Sequence, residues 1–213
     1  MYPDAGGVRP AFRQMAARLA AFGYAVLLPD VYYRSGSWAP FDMTTAFSDE
    51  GERNRLFGLM RSITGEVMAA DAAAFFDYLQ ARSEVRGPRF GTTGYCMGGR
   101  TSLIGAGRLP DRVAAAMSFH GGGLAADDPD SPRLLADRMQ AAVYVGGAEN
   151  DASYTVEDEE RLDRALTDAG VDHVMQWYAG AHGFAVTDNA PFDEACAEEH
   201  WRAMQEFFAA HLG

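Results

Sequence analysis

Short apolar runs alternate with longer helical patterns along this chain of 213 residues. Runs rich in β-branched and aromatic residues predict strands over 24–30, 89–95, 113–119, 141–147 and 173–178. Helical periodicity predicts helices over 10–22, 52–62, 66–80, 97–107, 156–169 and 192–211. Strands that alternate with helices build parallel βαβ units. We therefore predict an α/β fold, a doubly wound and mostly parallel sheet with helices on both faces.

Composition and charge narrow the class of protein. The length suits one domain spanning residues 1–213, and the net charge of −12 argues against a nucleic-acid or anionic-membrane partner. No run approaches the eighteen or so apolar residues that a membrane span needs, and MYPDAGGVRP lacks the features of a signal peptide. Two distant cysteines without metal-ligand spacing predict free thiols in the cytoplasm and no metal.

The beginning of the chain is short for this kind of sheet. Only Met1 and Tyr2 precede the turn DAGG, whereas an open sheet of this type normally has strands before its first helix. We therefore expect the first strands of the fold to be missing. The fold is either trimmed at one edge, or the chain lacks an N-terminal piece.

The stretch GTTGYCMGGR places Cys96 between Gly94 and Gly98, two residues away on each side. The spacing alone fits both a catalytic nucleophile and a buried structural cysteine in a tight turn. The context favours the nucleophile, because a predicted strand precedes the motif and a predicted helix follows it. Glycines permit the sharp turn, and the free N–H groups of a helix N-terminus would lower the thiol pKa.

A thiol nucleophile needs a base and an acid that orients the base. His182 follows the last predicted strand, where functional groups of parallel sheets gather, and His120 is the second candidate base or a pocket donor. In the loop GGAENDASY, Asp151 is the preferred acid and Glu149 the alternative. The order Cys96, Asp151, His182 is the nucleophile–acid–base order of α/β-hydrolases.

With these motifs, the chain resembles the dienelactone hydrolase family over nearly its whole length. GYCMGG and AHGFA carry the most specific part of the resemblance, and GYAVLLPD is also typical. The resemblance implies a triad of Cys96, Asp151 and His182. It also implies an oxyanion hole formed by the backbone N–H groups of Met97 and Ala5.

The resemblance further implies that Asp4 contacts the resting thiol, although an ordinary turn residue would fit the sequence equally well. Family members that hydrolyse dienelactone hold its carboxylate with two arginines. Arg53 matches one of them, but Val186 stands at the position of the other. Because half of this charge clamp is missing, a neutral or differently shaped ester fits the sequence at least as well as dienelactone does as the substrate. Trp38, Phe41 and His120 are candidate pocket walls.

The sequence thus predicts a hydrolase that cleaves a small ester or lactone through an acyl-thioester intermediate, without a metal or organic cofactor. The rival hypothesis is a catalytically silent α/β-hydrolase fold that binds a ligand. A third hypothesis, a redox-sensing thiol, lacks a nearby resolving cysteine. The substrate's identity and the oligomeric state stay open.

Overall fold

The computed structural model describes residues 1–212, and its centre is a four-stranded parallel sheet in the order β1-β2-β3-β4. The strands follow one another in space as in sequence, so every connection is a crossover that carries at least one helix or helical turn. Their bounds are β1 Phe90–Tyr95, β2 Val113–Phe119, β3 Ala142–Asn150 and β4 His173–Ala181. The prediction of an α/β fold with a parallel sheet is confirmed.

Helices cover both faces of this sheet. Their bounds are α1 Pro10–Ala20, α2 Glu50–Arg61, α3 Gly65–Gln80, α4 Met97–Arg108, α5 Val156–Asp168 and α6 Glu194–Leu212, with short 3-10 helices at Tyr33–Ser35 and Pro132–Arg138. Buried side chains of α3, α4 and α5 form the core on one face, and those of α1 and α6 form the core on the other. All six predicted helices are present, with ends shifted by up to two residues.

The register of the strands brings four loops to one edge of the sheet. Tyr95 pairs with Phe119, and Phe119 pairs in turn with Gly146. Because the strands are parallel, their carboxyl ends lie side by side, and the segments that follow them meet there. These segments begin at Cys96, His120, Asp151 and His182.

The prediction of a buried strand over residues 24–30 is wrong. These residues form no regular strand, and most of them are half-buried or exposed. A strand needs a neighbour for its backbone N–H and C=O groups, and beyond β1 that neighbour is reduced to Tyr2, which makes a single bridge with Gly94. A groove of about 520 Å³ separates residues 23–29 from the outer edge of β1. Within it, the amino group of Met1 donates to the Leu27 carbonyl at 2.9 Å.

In the described part of the chain, no helix is both long enough and apolar enough to cross a membrane.

The turn between β1 and α4 depends on close backbone packing. A Cβ atom on Gly94 would lie closer than 3.0 Å to the carbonyl oxygen of Gly98, and one on Gly98 would lie equally close to the carbonyl of Pro3. Backbone atoms held by a strand and a helix cannot move aside as a flexible side chain can. The two glycines are therefore required by packing at these positions.

We expect Gly94→Ala to destabilise the fold by about 3 kcal/mol or more, because the new methyl group overlaps backbone atoms. Gly105→Ala in α4 is the matched control, since no atom lies within 4 Å of its would-be Cβ. Alanine there should stabilise the helix by about 0.5–1 kcal/mol. Urea unfolding measures both changes, and equal stability of the two variants would contradict the packing argument.

Candidate active site

Cys96 occupies the sharp turn at the centre of the site. It follows β1 directly and precedes Met97, the first residue of α4, with φ of 55° and ψ of −119°. A positive φ in a residue with a Cβ costs roughly 1–3 kcal/mol and persists where the surroundings impose it. Here the Cys96 N–H donates to the Phe119 carbonyl at 3.1 Å, and the Cys96 carbonyl accepts from Gly99 N–H at 3.0 Å. The half-buried side chain is held at the carboxyl end of the sheet.

His182 and Asp151 form a hydrogen-bonded pair beside this turn. Nδ1 of His182 lies 2.6 Å from Oδ2 of Asp151, whose side chain is only 2% exposed. Glu149, the alternative acid, is exposed at the end of β3 and makes no hydrogen bond with His182 in the described structure. The geometry thus favours Asp151 as the carboxylate that orients the imidazole.

The charge state of this pair follows from its surroundings. Burial lowers the pKa of His182, but the hydrogen bond to Asp151, the nearby Cys96 side chain and the negative charge of Asp151 raise it to about 10. For Asp151, burial raises the pKa, and hydrogen bonds from His182 and Ser153 outweigh it to lower the pKa below its ordinary value. At neutral pH the imidazole is therefore protonated and the carboxylate ionised.

Ser153 is a site residue that the sequence analysis did not identify. Its hydroxyl donates to Oδ1 of Asp151 at 2.6 Å and lies 3.1 Å from Nδ1 of His182, and its N–H donates to the same Oδ1 at 2.8 Å. Asp followed two residues later by Ser is a common turn pattern. The sequence DAS therefore indicates a turn in which Ser153 bonds Asp151, but not the contact with His182. Ser153 fixes the carboxylate oxygen that does not bind His182.

Two backbone N–H groups lie beside the turn without acceptors among residues 1–212. One belongs to Met97 at the start of α4, where the first N–H groups of a helix have no internal partner. The other belongs to Ala5, in the loop whose Asp4 carbonyl accepts from Gly7 N–H at 3.0 Å. The hydroxyl of Tyr32 contacts both residues, at 2.8 Å from the Ala5 carbonyl oxygen and 3.7 Å from Sδ of Met97. Free N–H groups of this kind can stabilise an anionic oxygen.

The resemblance implies that Asp4 contacts the thiol of Cys96, but the hydrogen bonds of Asp4 are made with other residues. Its oxygens accept from both terminal nitrogens of Arg9, from Gly6 N–H at 2.9 Å and from the side-chain amide of Asn189 at 3.2 Å. In the described residues none of its hydrogen bonds involves Cys96. The structure thus gives Asp4 a buried ion pair with Arg9.

His120 lies next to His182. Its ring meets that of His182 at 5.2 Å between centroids, it is fully buried, and its φ is 38°. Burial and the nearby positive charge of His182 hold the pKa of His120 well below its ordinary value. Neither ring nitrogen has a hydrogen-bond partner among the described residues. A histidine with so low a pKa binds a proton too weakly to be an effective base, so the surroundings favour His182 in that role.

The remaining candidate residues lie above the loop of Ala5. The ring of Trp38 packs edge-on against Tyr32 at 5.6 Å, stacks on Phe41 at 6.1 Å and donates to Asp30. Arg53 is half-buried on α2 and forms no side-chain ion pair in the described structure. No group of His, Cys, Asp and Glu side chains within residues 1–212 is arranged to hold a metal ion.

Known proteins resemble this chain along its whole length. The model of the dienelactone hydrolase family matches residues 1–212. A carboxymethylenebutenolidase of Rhodococcus opacus is 28% identical over 215 residues, which cover 98% of this chain and 79% of the relative.

Solved structures agree in fold. A dienelactone hydrolase-like promiscuous phosphotriesterase from metagenomic libraries superposes with a TM-score of 0.76 at 24% identity, covering 99% of this chain and 84% of that protein. A puromycin-hydrolysing peptidase of Mycobacterium tuberculosis superposes with a TM-score of 0.58 at 22% identity, over 70% of this chain and 26% of its own length. At these identities the two structures support the α/β fold alone.

Removal of the Ser153 hydroxyl should weaken the stabilisation of the Asp151 carboxylate. We expect Ser153→Ala to lower the free energy of unfolding by about 1 kcal/mol at pH 7. Because the folded-state pKa of Asp151 is depressed, this contribution exists above the ordinary carboxyl pKa and disappears as the pH falls through the folded value. Urea unfolding over a series of pH values, from pH 7 down to well below the ordinary carboxyl pKa, measures the difference.

Ser83→Ala is the control for this substitution, since the Ser83 hydroxyl bonds only the exposed Glu84 next to it. A loss of stability for Ser153→Ala that stayed the same over the whole pH series would show that its hydroxyl acts independently of the carboxylate charge.

Proposed function

Because this chain belongs to the dienelactone hydrolase family, we propose that it cleaves a small ester or lactone with Cys96 as the nucleophile. The observation that carries the proposal is the hydrogen-bonded pair of Asp151 and His182 at the carboxyl end of the sheet, close enough to Cys96 for that side chain to raise the pKa of His182. Cys96 stands at the N-terminus of α4 beside His182, which is the placement that a cysteine nucleophile and its proton-exchanging partner require. No metal or organic cofactor takes part in this proposal.

In the first step, the thiolate attacks the carbonyl carbon of the ester, and the carbonyl oxygen becomes an anion. The N–H groups of Ala5 and Met97 donate to this oxygen. When the tetrahedral intermediate collapses, the bond to the alkoxide oxygen breaks and the imidazolium of His182 gives its proton to the leaving group. The product is a thioester on Cys96 and a neutral His182.

In the second step, neutral His182 accepts a proton from a water molecule that attacks the thioester carbonyl. The same two N–H groups bind the oxyanion again, and the carboxylate of Asp151 stabilises the positive imidazole that forms. Collapse releases the acid product and restores the thiolate beside imidazolium. At the end of the cycle Cys96 and His182 are back in their starting states, so the reaction consumes only water and substrate.

The charges near the site support a neutral substrate. Val186, which follows His182 closely, is fully buried in the apolar core with Phe184. Arg9 is held by two carboxylates, and Arg34 by Asp71. Arg53 has no ion pair among the described residues and could meet a substrate carboxylate, but for Arg9 and Arg34 that carboxylate would have to compete with protein carboxylates, so at most half of the charge clamp is free. A neutral ester or lactone avoids this competition.

The function is tested with small chromogenic esters and lactones on the wild type, Cys96→Ala and His182→Ala. We expect both variants to lose activity by about three orders of magnitude or more, because members of a triad act as a unit. Mass spectrometry of the wild type, quenched during turnover, should show an acyl adduct on Cys96. Equal rates in all three proteins would refute the triad, and turnover without an adduct would refute the covalent step.

The raised pKa of His182 predicts an alkaline limit of the reaction. The first step needs the imidazolium, so kcat/KM should fall as the pH rises through about 10. Asp151→Asn removes a charge and a hydrogen-bond acceptor that hold the proton on His182. The limit should therefore move down, towards the ordinary histidine pKa of about 6.5.

Glu149→Gln is the matched control for this pH profile, because it removes an exposed carboxylate from the same loop. Its alkaline limit should equal that of the wild type. An unchanged limit in Asp151→Asn would mean that this carboxylate does not set the protonation of His182.

A further inference from the structure

Arg9 is a buried guanidinium that joins two loops from opposite ends of the chain. It is 4% exposed and bonds both oxygens of Asp4, with Nη1 at 2.6 Å and Nη2 at 2.9 Å. Its other edge bonds both oxygens of Asp188, with Nε at 2.8 Å and Nη2 at 2.9 Å. Two bidentate pairs fix the plane of the guanidinium and both carboxylates, which a lysine could not do.

Asn189 and Gly7 complete this arrangement. The side-chain oxygen of Asn189 accepts from Nη2 of Arg9 at 3.2 Å, and its amide nitrogen donates to Oδ2 of Asp4, also at 3.2 Å. The Gly7 carbonyl accepts from Nη1 of Arg9 at 3.3 Å. We refer to Asp4, Arg9, Asp188 and Asn189 as the Arg9 cluster.

The two loops joined by the Arg9 cluster carry different parts of the site. Asp4 immediately precedes Ala5, whose N–H is proposed to bind the oxyanion. Asp188 and Asn189 belong to the turns that follow His182, where Asn189 N–H donates to the Val186 carbonyl at 3.0 Å. The cluster therefore fixes the distance between the loop of one oxyanion donor and the loop of the base.

The direction of the Ala5 N–H follows from the same contacts. The carbonyl of Asp4 accepts from Gly7 N–H, and in a trans peptide the N–H of the next residue points the opposite way. On the other side of Ala5, its carbonyl accepts the Tyr32 hydroxyl, which is fully buried. Both peptide groups that flank Ala5 are thus held, one by the cluster's loop and one by Tyr32.

We propose that the Arg9 cluster and Tyr32 are positioning residues that aim the Ala5 N–H at the carbonyl oxygen of a substrate bound to Cys96. The proposal rests on the proposed function, since it assigns a role within that reaction. Burying a charged network is a poor way to gain stability alone, because desolvation offsets much of the attraction between the charges. What the network provides is a fixed geometry, which a preorganised oxyanion donor requires.

This role separates two kinds of reactivity at the same sulfur. Ester cleavage develops negative charge on a carbonyl oxygen and needs the Ala5 N–H. Alkylation of Cys96 by iodoacetamide displaces iodide at a saturated carbon, so it needs only the thiolate. In the described residues, Arg9 and Tyr32 donate no hydrogen bond to Cys96 or His182. Substitution of either should therefore slow the first reaction and spare the second.

The experiment compares the wild type, Arg9→Gln, Arg9→Lys and Tyr32→Phe. We expect Arg9→Gln to lower kcat by about 10- to 100-fold with little change in KM, since loss of an entire oxyanion donor lowers kcat by about 100- to 1,000-fold. Tyr32→Phe, which removes only a hydroxyl, should lower it by about tenfold. Arg9→Lys should recover part of the loss. The rate of Cys96 alkylation should stay within about twofold of the wild type throughout.

Arg18→Gln is the matched control, because Arg18 also makes a bidentate pair, with Glu198, but on the exposed side of α1. Its kcat should equal that of the wild type. If alkylation falls in parallel with ester cleavage in Arg9→Gln and Tyr32→Phe, both act on the thiolate or on the whole fold, and the proposal is wrong. Unchanged kcat in both variants would overturn it equally.

A second measurement keeps the proposal distinguishable from the proposed function. A small ¹³C-labelled aldehyde adds to the Cys96 thiol and forms a thiohemiacetal, whose oxygen occupies the oxyanion position without turnover. NMR should show about tenfold weaker adduct formation in Arg9→Gln and Tyr32→Phe than in the wild type and Arg18→Gln. A wild type that forms the adduct but cleaves no ester would refute the hydrolase alone. Equal adduct formation in all four proteins would refute the positioning role.

Discussion

The contact of Gly94 with the backbone of Gly98 is the constraint on which the site depends. It brings the end of β1 and the first turn of α4 so close that only glycine fits, and Cys96 between them takes a positive φ. The same turn is pressed against the carbonyl groups of Tyr2 and Pro3, so the loop that starts at Asp4 must pass beside the sulfur. One packing contact thus sets the position of the thiol and of the neighbouring N–H groups.

Electrostatic balance at the site depends on keeping the second histidine neutral. Asp151 and the nearby Cys96 stabilise the proton on His182, whereas His120, whose ring centroid lies 5.2 Å away, is completely buried and has no hydrogen-bond partner for its ring among residues 1–212. A charge on His120 would repel the imidazolium of His182 and weaken its hold on the proton. Burial disfavours that charge, so His120 packs against His182 as a neutral aromatic ring. The protonation of His182 is then set by Asp151 and Cys96.

The sequence predicts the parts of this site that depend on local pattern. Cys96, Asp151 and His182 each follow a strand that the sequence pattern predicts, and parallel topology then brings the three loops together. The prediction of a strand over 24–30 is wrong because a strand needs a neighbouring strand to bond its backbone, and a local sequence pattern does not reveal whether that neighbour exists.

Long-range pairing accounts for the rest of what the sequence left undetermined. Asp4 pairs with Arg9, which the sequence pattern did not identify, and the other carboxylate on Arg9 lies 179 residues further along the chain. Nothing in the spacing of charged residues distinguishes such a buried pair from charges on a solvated surface. Ser153 was missed for a different reason: Asx turns are common, and only the position of His182 gives this one a chemical role.

Separate contacts hold the reacting groups, and this separation has a chemical consequence. Cys96 is held by glycine packing, Asp151 by Ser153, and Ala5 by Tyr32 and its link to Arg9. In the proposed reaction, the nucleophilicity of the sulfur and the polarisation of the carbonyl would therefore depend on different residues. The proposed oxyanion donor, Ala5, could then be adjusted to the shape of an ester without disturbing Cys96 and His182. In this arrangement, substrate preference can change through the loops above the sheet while the chemistry of the elbow stays the same.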